Sequence, residues 1–171
     1  MSNSASSSTA KGQILLFWGK KDRDSFYFAG HANISGKLYF LSNFFPCRFE
    51  LDGYVWHSTE HYFQAMKFAK TDSEWFKTVR DAHTAAKAAA LGRSRKHSIS
   101  LDWDTVRDDV MMAAVYAKFS QNAALRSKLR DTGNAVLHED AKNDFYWGAG
   151  NPSRIGQDKL GKLLMEVRSK L

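Results

Sequence analysis

Short apolar and aromatic runs bounded by turn residues mark the first third of the chain: QILLFW at 13–18, KLYFL at 37–41 and PCRFELDGYVW at 46–56. Runs of that length predict strands. Inside the last, Asp52-Gly53 predicts a tight hairpin between Phe49-Glu50-Leu51 and Tyr54-Val55-Trp56, because a type I′ turn needs positive φ at both central residues. From Ser58 onward the pattern turns helical. Ser58 is placed to N-cap a helix running to about Lys70, and 72–91 predict a second helix that ends at Gly92. Asp102 or Asp104 opens a third through Gln121, and 122–131 form a fourth, stopped by Gly133. A VLHE strand, a glycine-rich loop and a helix over 158–170 complete the chain. Small strands followed by a helical bulk predict an α+β fold, a compact helix-rich single domain. The absence of strand–helix alternation argues against a Rossmann-type sheet. Residues 1–12, Ser-rich and without the apolar stretch of a secretory signal, read as a flexible tail ahead of one domain over 13–171.

At 100° per residue, Tyr62, Ala65, Met66 and Ala69 share one face of the first helix, an ordinary buried stripe. Glu60, Gln64 and Lys67 fall opposite, at i, i+4 and i+7, flanked by Phe63 and Phe68. One reading is a solvated face whose Glu…Lys pair steadies the helix. The other is a polar seam between apolar walls, where a carboxylate and an ammonium titrate away from their usual values unless paired. A hydrolytic pocket needs the second arrangement: a carboxylate to activate water or steady a cation, and a cationic group near it.

Other stretches fit both a structural and a ligand-binding role. Leu41-Ser42-Asn43-Phe44-Phe45 reads as an Asx or Ser turn, or as a pocket edge where Asn43 and Phe44 meet ligand. In Asp144-Phe145-Tyr146-Trp147-Gly148-Ala149-Gly150 the aromatics either fill the core or let Tyr146 or Trp147 stack on a base. Gly148 and Gly150 would let the backbone approach a ligand closely. Gly156-Gln157-Asp158-Lys159-Leu160-Gly161, before the last helix, offers N–H groups to a phosphate but matches neither a Walker A loop nor GxGxxG. Gly92-Arg93-Ser94-Arg95-Lys96-His97 fits a solvated helix end as well as a phosphate contact. The histidines show no paired metal spacing and Cys47 stands alone in a predicted strand, so no metal, cofactor or cysteine nucleophile is expected.

Composition narrows the class without choosing the chemistry. The 171 residues are 43% hydrophobic and 25% charged, which excludes a disordered chain or a fibre, and a single cysteine excludes a disulfide scaffold. No apolar run approaches the roughly 18 residues of a membrane helix, so a cytoplasmic or nuclear protein without membrane contact is expected. The formal charge of +7 favours phosphate-bearing partners and suits any basic soluble domain equally.

Taken in order, LSNFFP, DGYVWHSTEHYFQAMKF, LDWDTVRDDVM, KFSQNAALRSKL, TGNAVLHED, DFYWGAG and LGKLLMEVR resemble the segments of NADAR (YbiA-like) domains, over about residues 25–171. The resemblance implies a helix-rich α+β domain with N-glycosidase activity. Some members cleave phosphoribosylamino-pyrimidine intermediates of riboflavin synthesis; others remove ADP-ribose from guanine in nucleic acid. It implies functional positions at Glu60, Trp103, Asp144 and Trp147 and matches Lys67 to the family's lysine. Asp158 departs from it, standing where the family commonly has Asn. On this basis Glu60 is expected to steady a ribosyl cation or activate water. Lys67 is expected to protonate the leaving amine or to attack C1 of the ring-opened sugar as a Schiff-base nucleophile. Asp144 would orient the ribose hydroxyls, and Trp103 or Trp147 would stack on adenine or the leaving base. The leading expectation is hydrolysis of ADP-ribosylated guanine in DNA or RNA. A riboflavin-pathway phosphoribosyl substrate and a non-catalytic reader of ADP-ribose or NAD are the alternatives.

Overall fold

The computed structural model describes residues 14–17, 38–141, 143–150 and 155–171; the stretch 1–12 and both ends of the 13–18 run lie outside them. In chain order the elements are β1 (Ile14–Phe17), β2 (Phe49–Leu51), β3 (Tyr54–Trp56), α1 (Thr59–Met66), α2 (Ser73–Arg80), α3 (Ala85–Gly92), α4 (Trp103–Gln121), α5 (Ala123–Asp131), β4 (Val136–Glu139) and α6 (Lys159–Lys170). The fold is α+β, with helices dominating. The hairpin forms as its turn chemistry requires: β2 and β3 pair antiparallel, with Asp52 at φ 52° and Gly53 at φ 76°. β1 and β4 pair in parallel, Leu15 beside Leu137 and Phe17 beside Glu139.

Three expected elements come out differently, each for a local reason. KLYFL is not a strand: Tyr39–Leu41 is a 3-10 turn, closed by Leu41 N–H to the Leu38 carbonyl at 2.9 Å and Ser42 N–H to the Tyr39 carbonyl at 3.0 Å. Phe40 and Leu41 are both buried, so the run lacks the two-faced alternation of a half-buried strand. The helix from Ser58 stops at Met66 rather than near Lys70, because the Ser100 N–H takes the Lys67 carbonyl at 2.8 Å. The 72–91 segment is two helices. Asp72 caps α2 by accepting the Trp75 N–H at 2.9 Å, and Thr84 caps α3 by accepting the Lys87 N–H at 3.1 Å. Between them the Ala82 carbonyl accepts from His61 Nε2 at 3.0 Å, so backbone that a continuous helix would use is held elsewhere.

Two apolar clusters make the core. One gathers Phe17 and Leu137 of the parallel pair with Met111 and Phe119 of α4 and Leu160 and Leu164 of α6. The other sets Phe49 and Trp56 of the hairpin against Tyr62 and Ala65 of α1, Phe76 of α2 and Ala88 of α3. α1 lies between the two, since Phe63 belongs to the first cluster and Tyr62 to the second. Seven consecutive residues, Thr59 to Ala65, are therefore buried, polar ones included. α6 lies so close on β4 that a Cβ at Gly161 would stand 2.1 Å from the Leu137 carbonyl oxygen.

The start of α6 does not present free N–H groups to a phosphate. Asp158, Lys159 and Leu160 donate theirs to the carbonyls of Gly148, Tyr146 and Trp147 at 3.1, 3.2 and 3.1 Å. Asp158 does not cap the helix either: it sits in the left-handed region at φ 48°, and its carboxylate meets His138 Nδ1 at 2.5 Å and accepts the Glu139 N–H at 3.0 Å.

Candidate active site

The polar seam of α1 is enclosed rather than solvated. Ser58 caps the helix by accepting the His61 N–H at 3.3 Å, and the Asn43 carbonyl accepts the Glu60 N–H at 3.0 Å, which ties the 42–45 loop to the helix start. Glu60 is 6% exposed and Gln64 7%, and Gln64 Nε2 donates to Glu60 Oε1 at 2.7 Å. Gly92 makes room for that contact: a Cβ there would lie 2.0 Å from Gln64 Oε1. Phe63 walls the seam, but Phe68 does not, being buried with Phe49 and Trp56 in the other cluster, and Ala69 is exposed. Both differences follow from the helix ending at Met66, beyond which a 100° period no longer applies.

Glu60 and Gln64 open onto a cavity of about 290 Å³. Four other residues singled out in the sequence meet them there: Asn43 and Phe44 from the loop after the 3-10 turn, and Asp144 and Trp147 from the loop after β4. Asp144 Oδ1 accepts the Tyr146 and Trp147 N–H groups at 3.0 and 2.8 Å, an Asx turn that sets the indole. The indole meets Phe63 edge-on, 5.4 Å between ring centres.

The remaining candidates stand outside the lining. Trp103 is buried behind Phe63, ring centres 5.0 Å apart. Tyr146 turns away, its hydroxyl donating to Asp108 Oδ1 at 2.5 Å and its ring lying under the Arg107 guanidinium at 3.8 Å. Gly148 and Gly150 are buried where the loop packs on itself, against Ala141 and Phe145, so their missing side chains serve the chain rather than a ligand. Lys67, half-buried at the end of α1, donates to the Gly92 carbonyl at 3.3 Å and stands 5.6 Å from the centre of the Phe63 ring and 5.9 Å from that of Trp103.

Two charged lining residues were not placed here by sequence reasoning. Arg93 fits a solvated helix end equally well, and Glu139 is the last residue of the VLHE strand, not singled out by the sequence. The cavity thus holds three carboxyl groups and one guanidinium. Burial pushes the Glu60 carboxyl above its usual range, opposed by the Gln64 hydrogen bond and by the charges of Lys67 and Arg93. Burial pulls the Lys67 amine below its usual range, opposed by Glu60. Glu139 is pushed up to about 8, by burial first and then by Asp144, Glu60 and Asp158. Two acceptors of lining residues, Asn43 Oδ1 and Gln64 Oε1, are buried without a hydrogen-bond partner among the described residues. Among the described residues no group of three or more His, Cys, Asp or Glu is placed to hold a metal ion, and no helix is long and apolar enough to cross a membrane.

Carboxyl groups, residues with unpartnered acceptors and an arginine lining one small cavity, with a lowered-pKa amine behind its Phe63 wall, suit cleavage of a polar, anionic glycoside. Comparison with known proteins agrees. The N-glycosidase YbiA of Escherichia coli (strain K12) is 41% identical over 131 residues, covering 77% of this chain and 80% of that protein. The riboflavin biosynthesis protein VVA0006 of Vibrio vulnificus (strain YJ016) is 39% identical over 132 residues, 77% of this chain but 35% of that longer protein. The NMR structure of E. coli YbiA superposes with a TM-score of 0.72 at 35% identity, covering 92% of this chain and 85% of that one. The NADAR domain profile matches residues 17–171. The chain therefore belongs to the NADAR domain family, and its class is that of the N-glycosidases, hydrolases of glycosidic bonds.

Proposed function

We propose that this protein hydrolyses the C1′–N bond of a mononucleotide-sized phosphoribosyl amine, a phosphoribosylamino-pyrimidine of the riboflavin-pathway type. The observation that carries this reading is the cavity of about 290 Å³ lined by Glu60, Arg93, Asn43 and Gln64, the last two holding buried acceptors unpartnered among the described residues. Its volume lies at the lower end of the roughly 300–1,000 Å³ of small-ligand sites, which favours a ribose phosphate with one ring over ADP-ribose with its base. The name of the Vibrio relative supports the same pathway.

In this reading Asn43 Oδ1 and Gln64 Oε1 accept the ribose hydroxyls, Arg93 meets the phosphate, and Trp147 lies against the leaving ring. Asp144 acts through Trp147, whose position its carboxylate fixes. Glu60 sets negative charge against the cationic carbon that forms as the C1′–N bond breaks. Lys67 has a depressed pKa and a long hydrogen bond to Gly92, so its amine is nucleophilic and loosely held. It attacks C1′ of the ring-opened sugar to give an iminium, which water then hydrolyses, with Glu60 taking the water's proton. Trp103 packs behind the amine and positions it.

Incubated separately with a phosphoribosylamino-pyrimidine and with a guanine-ADP-ribosylated oligonucleotide, the protein is expected to release ribose 5-phosphate from the first, detected by mass spectrometry. The second substrate is favoured by one observation, the exposed Arg95 and Lys96 that continue the chain from Arg93 at the cavity. Release of ADP-ribose from it alone would move the assignment there. Binding of either without product would make the protein a reader and end the proposal. Borohydride added during turnover is expected to fix the sugar phosphate to Lys67, read by peptide mass mapping; an unmodified Lys67 across the pH range of activity removes the covalent step.

A further inference from the structure

We propose that Glu139, at the end of β4, is a second catalytic carboxyl group, the acid that protonates the leaving nitrogen. The inference rests on the N-glycosidase reading of the cavity and adds the proton donor which that reaction needs.

The carboxyl groups of the cavity are not equivalent. Glu60 accepts a hydrogen bond from Gln64, and Asp144 accepts two backbone N–H groups. The Glu139 side chain has no hydrogen-bond partner among the described residues, yet its backbone is fixed on both sides. Its N–H donates to Asp158 Oδ1 at 3.0 Å and its carbonyl accepts the Ala149 N–H at 2.7 Å. Asp158 is itself held to His138. The carboxyl group is thus delivered to the cavity by a rigid strand end and left free there for a ligand.

The charged groups around the cavity divide it into two halves. Lys67 at the end of α1 and Arg93 after α3 act on Glu60 and favour its ionised form. The charges that act on Glu139 are all acidic: Asp144 of the following loop, Glu60 of α1 and Asp158 before α6. Carboxyl groups sharing one small site with a single lining cation cannot all ionise, and the proton settles where no cation faces it. Glu139, titrating near 8, keeps its proton at neutral pH, while Lys67 and Arg93 oppose protonation of Glu60. Two carboxyl groups in one site, only one of them faced by cations, suit the acid and the anion of one mechanism.

The step balances. The C1′–N bond breaks, its electron pair stays on nitrogen, and the Glu139 proton joins it there. C1′ forms its new bond to the incoming nucleophile. The proton set free when water completes the hydrolysis passes through Glu60 back to the Glu139 carboxylate.

The test compares Glu139→Gln and Glu139→Asp with the wild type, using the phosphoribosylamino-pyrimidine over pH 5–10. Glu139→Gln is expected to lose about 10²-fold or more in kcat, with KM within a few-fold and a melt at neutral pH no lower than that of the wild type. The wild-type kcat is expected to fall as pH rises through about 8, and the residual activity of Glu139→Gln to lack that limb. Glu139→Asp, which keeps an acid, is expected to recover part of the rate and to retain an alkaline limb; it carries the test if the Gln variant does not fold. A Gln variant with wild-type kcat, or one that is slower but keeps the limb, overturns the role of Glu139 while leaving the N-glycosidase reading intact. A wild type inactive on both substrates of the preceding assay overturns that reading and this inference with it.

Discussion

Replacing Glu60 by glutamine is expected to lower kcat by about 10³-fold while leaving substrate affinity and the fold in place. The carboxylate is asked to stabilise a cationic carbon in an enclosed site, and deleting one such preorganised electrostatic partner costs about 10²–10³-fold or more. Glutamine matches the shape and its carbonyl accepts from Gln64 Nε2 as Oε1 does now at 2.7 Å, so the seam persists. The stability side has a definite sign. The Glu60 carboxyl titrates higher folded than unfolded, so the contribution it makes is complete below the unfolded pKa and is lost as pH rises through the folded one. At neutral pH the wild type bears the cost of burying a titratable carboxyl group, and the variant does not. Glu60→Gln is therefore expected to melt no lower than the wild type, the pattern of a residue kept for function rather than stability. Isothermal titration with ribose 5-phosphate, a thermal melt and single-turnover kinetics check the three statements. A variant that turns over at the wild-type rate removes Glu60 from the chemistry.

That site was partly legible in the sequence because some of its chemistry is local. Glu60 and Gln64 are one turn apart, Ser58 is a cap by its own chemistry, and Asp144 closes a turn two and three residues on. Periodicity also put Lys67 on the seam, though it could not show that Ser100 would end the helix there. What escaped depends on distant packing. Glu139 shares a strand face with the buried Leu137, but a carboxylate at the last position of a short strand also suits a solvated end, and only the Ala149 and Asp158 contacts carry that end to the cavity. Arg93 follows a helix C-terminus, where a cation is favoured for local reasons that say nothing of a ligand. Gly92 was read correctly as a stop, but the space it leaves for Gln64 is a tertiary fact. The aromatic glycine loop shows the converse error: Trp147 reaches the cavity, while Tyr146, one residue earlier, is bound to Asp108.

A rise of stability with pH is expected from Lys118, a residue to which the helical pattern of α4 drew no attention. Its side chain is buried at 1% exposure, with the ammonium donating to the Ser42 carbonyl at 2.8 Å and lying 5.0 Å from the centre of the Phe119 ring. Burial lowers its pKa from 10.5 to about 8, opposed only by Cys47. Below pH 8 the amine is charged whether folded or not, and the folded chain bears the cost. Between 8 and 10.5 the unfolded chain binds the extra proton, so stability rises with pH until both forms are neutral. The gain across that window is about 3 kcal/mol. Tyr62, pushed above its usual range by burial and by Asp52, pulls stability the other way at high pH, so the readout must be a difference. In a Cys47→Ala background, which removes the thiol coupled to this amine, urea unfolding of the Lys118 protein minus that of its Lys118→Met counterpart is expected to grow by that amount from pH 8 to 10.5. A flat difference would show the ammonium to be solvated or paired. The same variant separates two groups that titrate near pH 8. A neutral Lys118 amine still donates to Ser42 and holds the loop bearing Asn43 and Phe44, so Lys118→Met is expected to raise KM yet leave the alkaline fall of kcat, which belongs to Glu139, where it was.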